Sequence, residues 1–265
     1  MSIRVAIAGP RGKMGAEAVH TVMKHAKMEL VAVLDYKEVG HTLADLEMFP
    51  ASYTAPIFTD MHELVEATAP DVLVDLTNPH AVYHHTKEAL NLNVRPVIGT
   101  TGFTDAQLEE LSALANEKEL GCIIAPNFAI GAILMMKFAK EAAKYLPDVE
   151  IIEMHHDQKL DAPSGTGVKT AQMIQEVRTQ KMQGHPEEKE TIEGARGADF
   201  DGMRIHSVRL PGLVAHQQVL FGGDGQLLTI RHDSLNRNSF MSGVAFCVEE
   251  VMKMDQLVYG LENII

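Results

Sequence analysis

What this chain has little of narrows its identity first. Cysteine occurs only as Cys122 and Cys247. Both lie in apolar stretches and neither belongs to a C-x-x-C pattern, so a disulfide framework, a zinc ribbon and a redox dithiol are set aside, and each thiol reads as a small buried side chain. No apolar run is long enough to cross a bilayer and no signal-peptide pattern is read, so the expectation is a cytoplasmic protein with no membrane partner. Positive charge is scarce: 23 Lys and Arg stand against 36 Asp and Glu, a formal net charge of −13. No nucleic acid is expected as a partner, because binding a phosphate backbone needs a basic footprint that this composition lacks. At 265 residues the chain lies near the size at which one core divides, and two domains are expected.

What is present begins with an alternation of strand and helix. The apolar run Ile3-Arg4-Val5-Ala6-Ile7-Ala8 passes through Gly9-Pro10-Arg11-Gly12-Lys13-Met14-Gly15 into a helix whose apolar positions include Ala18, Val19 and Val22. The glycine spacing, G-x-x-G-x-x-G, is one residue longer than the common G-x-G-x-x-G. A pyrophosphate at a helix start needs backbone amides with no Cβ in the way, and these glycines supply that. A second strand, Leu30 to Leu34, ends at Asp35, close to where a dinucleotide site places its ribose-binding acid. Asp35 suits the free 2′-hydroxyl of NADH, whereas Arg11, Lys13 and Lys37 are cations that suit the 2′-phosphate of NADPH, so both cofactors stay open.

Further strands are read at Ile57-Phe58, Val72 to Leu76, Pro96 to Ile98 and Cys122 to Ala125, with helices between them. That rhythm predicts a parallel sheet. Thr77, Gly99 to Thr101 and Ala125 to Phe128 then sit just past strand ends, the edge at which an open α/β sheet binds ligands. From Lys181 to Met203 the pattern breaks into a polar, Gly-rich stretch read as one long surface loop. Consecutive strands follow at Arg204 to Val208, Gln217 to Phe221 and Leu227 to Arg231, and then a final apolar helix from Phe240 to Met252. The expected class is α/β: a Rossmann-like dinucleotide-binding domain from residues 1–127 and 239–265, and a second, α+β domain with a mixed or antiparallel sheet from residues 128–238.

The most chemically dense segment is Glu153-Met-His-His-Asp-Gln-Lys-Leu-Asp-Ala-Pro-Ser-Gly-Thr166. A buried strand ends here, Asp161, Pro163 and Gly165 turn the chain, and Ser164 can cap the next helix. The amides of Gly165 and Thr166 would open that helix and favour an anion. Neighbouring strand residues face opposite ways, so His155 and His156 need not share a job. Each feature alone is also ordinary loop and surface chemistry; the glycine turn at the other end of the chain is what turns them into a site.

These motifs, together with Gly99-Thr-Thr-Gly-Phe103 and Ala125-Pro-Asn-Phe128, resemble the 4-hydroxy-tetrahydrodipicolinate reductase family, long called dihydrodipicolinate reductases, over essentially the whole chain. The resemblance implies reduction of a cyclic dicarboxylate imine by NADH or NADPH in lysine and diaminopimelate biosynthesis, by a homotetramer joined through the second domain's sheet. It implies His155 as general acid/base and Lys159 as second proton donor, with His156, Gly165 and Thr166 on the substrate carboxylates. For the cofactor it implies Gly9, Pro10, Arg11, Gly12, Lys13 and Met14 at the pyrophosphate, Asp35 at the ribose, Gly99, Thr100 and Thr101 at the nicotinamide side, and Ala125, Pro126, Asn127 and Phe128 beside the reacting carbon. Tyr36 stands where some members carry an arginine for the 2′-phosphate, and Lys37 can substitute. No metal is implied.

Three other readings fit the sequence less well. Tyr83-His-His-Thr-Lys87 spells the Y-x-x-x-K of short-chain dehydrogenases, but far too early in the chain. An NAD(H)-sensing regulator would need no His155 and Lys159 and would carry a DNA-binding module, for which no basic helix exists. His80 and His84 are spaced as metal ligands on a helix but lack a third ligand.

Overall fold

The computed structural model describes residues 2–37 and 41–265. Contacts divide the chain into two units, Met1–Phe128 with Phe240–Ile265, and Ala129–Ser239.

The first unit is built on β1 (Ile3–Ala8), β2 (Met28–Leu34), β3 (Ile57–Phe58), β4 (Val72–Asp75), β5 (Arg95–Ile98) and β6 (Cys122–Ile124), with α1 (Lys13–Lys24), α2 (Met61–Thr68), α3 (Val82–Asn91) and α4 (Asp105–Lys118) between them. Val5, Ala6, Ile7 and Ala8 are all fully buried, as expected of a parallel strand covered on both faces. Every strand pair in the sheet is parallel, and the order runs β3-β2-β1-β4-β5-β6 before a last strand. The order reverses direction between β1 and β4, so a crevice opens beyond their carboxyl ends.

Local sequence sets the helix starts. α4 begins at a capping box in which the Gln107 amide donates to Thr104 Oγ1 and the Gln107 side chain accepts from the Thr104 amide,. α3 begins at Val82 rather than directly after Pro79, because the Asn78 side chain accepts from the amides of His80 and Ala81 and holds a turn there first,.

The second unit contains α5 (Ile130–Ala143), β7 (Asp148–His155), α6 (Gly165–Gln175), β8 (Ala198–Phe200), β9 (Met203–Arg209), β10 (Ala215–Gly223) and β11 (Gln226–Ser234). Its sheet has the order β11-β10-β7-β9-β8. β7 and β9 pair in parallel, while the other three pairings are antiparallel. Ile151, Val219 and Phe221 pack with Ala139, Ala171 and Ile174 of α5 and α6 into one core. Alternate residues of β7, Glu150, Ile152 and Met154, turn to the other face and stay partly exposed,.

Two short strands depart from the sequence reading. β8 lies inside the stretch expected as one loop, and pairs antiparallel with β9. After α7 (Asn238–Val251), β12 (Leu257–Tyr259) adds a seventh strand beside β6. Three residues carry too little periodicity to be read as a strand; each exists because a neighbouring edge offers it backbone partners.

Candidate active site

The glycine turn is shaped by how closely the backbone passes itself. Gly9 adopts φ +82°, in the left-handed region, and a Cβ there would meet Thr77 at 3.1 Å. A Cβ on Gly15 would fall 2.0 Å from the Gly9 carbonyl oxygen. Gly12 forms the N-cap of α1 with no side-chain cap, so the helix start has no side chain competing for its amides. These features fit a dinucleotide pyrophosphate, which needs a cradle without Cβ atoms and a helix dipole behind it.

A crevice of about 660 Å³ lies at this turn, lined among others by Gly9, Arg11, Gly12, Asp35, Tyr36 and Thr77. Of the other residues expected at the cofactor, Pro10 is buried and Lys13 exposed, and neither lines the crevice; nor does Met14. Asp35 is almost fully buried, and Arg11 clasps it with two hydrogen bonds, Nε to Oδ2 at 2.8 Å and Nη2 to Oδ1 at 2.5 Å. That bond holds the Arg11 guanidinium well above its ordinary value. The exposed Tyr36 ring is flanked by two cations, with the Arg11 guanidinium carbon 5.3 Å and Lys37 Nζ 5.2 Å from its centroid. Arg11 and Lys37 thus meet at one ring, a clustering that sequence order alone did not specify.

Gly99 to Thr101 and Ala125 to Phe128 follow β5 and β6 at the same sheet edge, outside the lined crevice. A Cβ on Gly99 would stand 2.5 Å from Leu76 and 2.6 Å from the Phe128 ring. Leu76 also lines the crevice, so close packing connects these loops to its wall. The sequence reading missed His85, which lines the crevice and places Nδ1 2.7 Å from the buried Asp75.

The second constellation is contained in the second unit and centres on a residue the sequence reading quoted without a role. Glu153 is fully buried. Its Oε2 lies 2.6 Å from His155 Nδ1 and accepts from Arg209 Nη1 at 3.0 Å, while Oε1 accepts from Arg209 Nη2 at 2.8 Å and from the Ser164 amide at 3.1 Å. Burial works against its ionisation, but the bonds from His155, Arg209, Ser207 and Ser164 outweigh that and bring the carboxyl down to about 2,.

Arg209 carries the network onward, donating from Nη2 to the Asp161 carbonyl oxygen at 2.8 Å. Lys159 Nζ donates to Asp161 Oδ1 at 2.6 Å, and that bond lowers the Asp161 carboxyl below its ordinary value. His155 and Lys159 are therefore joined through Glu153, Arg209 and Asp161. His156 lies exposed just past β7, and its carbonyl accepts from the Lys159 amide. Ser164 caps α6 by accepting from the Gly167 amide at 3.1 Å. Gly165 is open, with nothing within 4 Å of a Cβ built there. An imidazole, an ammonium and a helix start on one unit suit an anionic substrate that takes up a proton.

Tyr83 and Lys87 serve elsewhere: both donate to Glu110, the tyrosine to Oε2 and the lysine to Oε1, tying α3 to α4. His84 lies 5.2 Å, centroid to centroid, from the Tyr83 ring, and the described residues include no group of three metal-binding side chains. None of their helices is long and apolar enough to cross a membrane.

Fold and sites together define an oxidoreductase with a dinucleotide-binding first domain. The chain belongs to the dihydrodipicolinate reductase family: the model "Dihydrodipicolinate reductase, N-terminus" matches residues 3–128 and "Dihydrodipicolinate reductase, C-terminus" matches residues 131–265. It is 92% identical over its full length to the 4-hydroxy-tetrahydrodipicolinate reductase of Lysinibacillus sphaericus strain C3-41, covering 100% of both chains. To the reductase of the same name from Bacillus pumilus strain SAFR-032 it is 65% identical, covering 100% of this chain and 98% of the relative. A solved structure, dipicolinate-bound dihydrodipicolinate reductase from Paenisporosarcina sp. TG-14, matches with TM-score 0.92 and 67% identity, covering 100% of both chains. The family acts in lysine and diaminopimelate biosynthesis.

Proposed function

We propose that this chain reduces 4-hydroxy-tetrahydrodipicolinate, after its 4-hydroxyl has left as water to give the conjugated cyclic imine, to tetrahydrodipicolinate with NADH or NADPH, and that His155 and Lys159 supply the proton chemistry. The observation that carries the reading is the network joining His155 Nδ1, Glu153, Arg209, Asp161 and Lys159 Nζ beside the start of α6. The relative from Paenisporosarcina holds dipicolinate, a ring dicarboxylate, which agrees in chemical class with the substrate proposed here.

When bound, the reduced nicotinamide supplies a hydride to an electron-poor carbon conjugated with the ring imine. The chain does the rest. The turn Gly9, Pro10, Arg11, Gly12, Lys13 and Met14 would hold the pyrophosphate with the backbone amides of its residues other than Pro10 and with charge. Asp35 would accept from the adenosine ribose, and Arg11 and Lys37, which flank the Tyr36 ring, would meet a 2′-phosphate, so both cofactors are accepted,. Gly99 to Thr101 and Ala125 to Phe128 border the nicotinamide. His156, Gly165 and Thr166 bind the substrate carboxylates, and Lys159 adds a charge-assisted bond. His155 gives its proton to the electron-rich product of hydride addition and recovers one from water.

We further propose a cytoplasmic homotetramer joined through the partly exposed face of the β7 sheet. The assay is loss of reduced-nicotinamide absorbance with freshly generated substrate, NADH and NADPH in turn, and dipicolinate as inhibitor. Turnover with both cofactors, competitively inhibited by dipicolinate, is expected; no turnover with either overturns the proposal.

A further inference from the structure

From the buried Glu153 and the partly buried Arg209 we infer that they form a positioning device which fixes the tautomer of His155, so that Nε2 alone gives and receives the transferred proton. This rests on the reading of His155 as proton donor, and deepens it.

Glu153 and His155 are two residues apart on β7, so their side chains project from the same face of the strand,. Gly167, in the first turn of α6, lies against the carboxylate side chain: a Cβ there would stand 3.4 Å from Glu153 Cγ and from Ser164 Oγ, in ordinary contact. Glu153 is left with no exposure and with two oxygens that can only accept. An isolated carboxylate in such a place would take up a proton. It does not need to, because Arg209, paired opposite His155 on β9, reaches both oxygens, and the Ser164 amide adds a third donor.

An ionised carboxylate only accepts hydrogen bonds. The nitrogen facing it at 2.6 Å, His155 Nδ1, must therefore carry hydrogen whether the ring is neutral or charged. Proton exchange is confined to Nε2, for which no hydrogen-bonding partner is found among the described residues. A histidine without such a partner would divide between tautomers, and in one of them the reacting nitrogen would face the core. Arg209 acts one step further away: by holding Glu153 ionised it prevents the carboxyl from donating to His155 and reversing the bond. Neither Glu153 nor Arg209 needs to touch substrate.

The test is the ¹⁵N NMR signature of the His155 ring in the full-length protein, assigned by its disappearance in His155→Gln, together with the pH profile of turnover. The neutral ring of the wild type is expected as the Nδ1–H tautomer, and Glu153→Gln is expected to lose that preference. Glu153→Gln should also lower kcat by about 10- to 100-fold, since an outer partner orients the ring rather than reacting, with the NADH Kd held within about twofold, a change too small to signal lost binding. Its kcat–pH profile should differ from that of the wild type, because the ring has lost the carboxylate that Nδ1 faces. Arg209→Lys should recover most of the turnover that Arg209→Met loses.

A wild-type Nε2–H tautomer overturns the inference, as does a Glu153→Gln enzyme with wild-type kcat and profile. Should Glu153→Gln fail to fold, the wild-type spectrum and the Arg209 pair still decide. If the wild type reduces no cyclic imine at all, the functional reading fails separately, while the spectrum still reports the tautomer.

Discussion

The first turn of α1 passes so close to the end of β1 that a methyl group at Gly15 would meet the Gly9 carbonyl oxygen at 2.0 Å. Backbone cannot yield as a side-chain tip can. Gly15→Ala is expected to destabilise the protein by about 1–3 kcal/mol in urea unfolding and to weaken NADH binding, measured by fluorescence titration. Gly165→Ala is the control: nothing lies within 4 Å of its Cβ, and stability should change by no more than about 0.5 kcal/mol.

Asp35 is both the ribose acid of the proposed site and the anchor of Arg11. Asp35→Ala removes the first function and frees the second. The expected result is an NADH KM raised about tenfold, the loss of roughly one good hydrogen bond, with a smaller rise for NADPH because the released guanidinium can meet the 2′-phosphate. Steady-state kinetics with each cofactor measures this; equal losses would remove Arg11 from cofactor selection.

Glu153 also predicts an acid sensitivity. Its folded-state value, about 2, lies below the ordinary 4.5, so the stability it contributes is fully present above pH 4.5 and is lost as the pH falls through about 2,. For this fully buried group the contribution is about 3 kcal/mol. Thermal unfolding should show the wild type's advantage over Glu153→Gln shrinking across that window. A gap that stays constant with pH would contradict the assignment.

Tyr83 and Lys87 hold Glu110 on the outside of the first unit. Tyr83→Phe should retain wild-type turnover and leave the unfolding midpoint little changed, as loss of an exposed polar contact does. Loss of activity would restore the short-chain dehydrogenase reading.

Much of this was legible in the sequence, for identifiable reasons. The strand Val5 to Ala8 is apolar on both faces, and Gly9 and Gly15 stand where a positive φ and a close backbone approach call for glycine, so the parallel fold and its candidate phosphate cradle follow from local chemistry. The segment from His155 to Thr166 is contiguous, and its strand, turn and cap are written in order. Arg209 is different. It meets Glu153 only because β9 lies parallel to β7 across a long crossover, and no local pattern announces a partner so far along the chain. The same holds for His85 on Asp75, and for β8 and β12, which borrow their existence from a neighbour's edge.

The central claim is that His155 delivers the proton in reduction of the cyclic imine, and the most direct measurement is turnover of His155→Gln beside its NADH affinity. The account predicts kcat lowered by about 100-fold or more, the usual worth of a positioned acid, with NADH bound as tightly as by the wild type. Wild-type turnover in His155→Gln would contradict it.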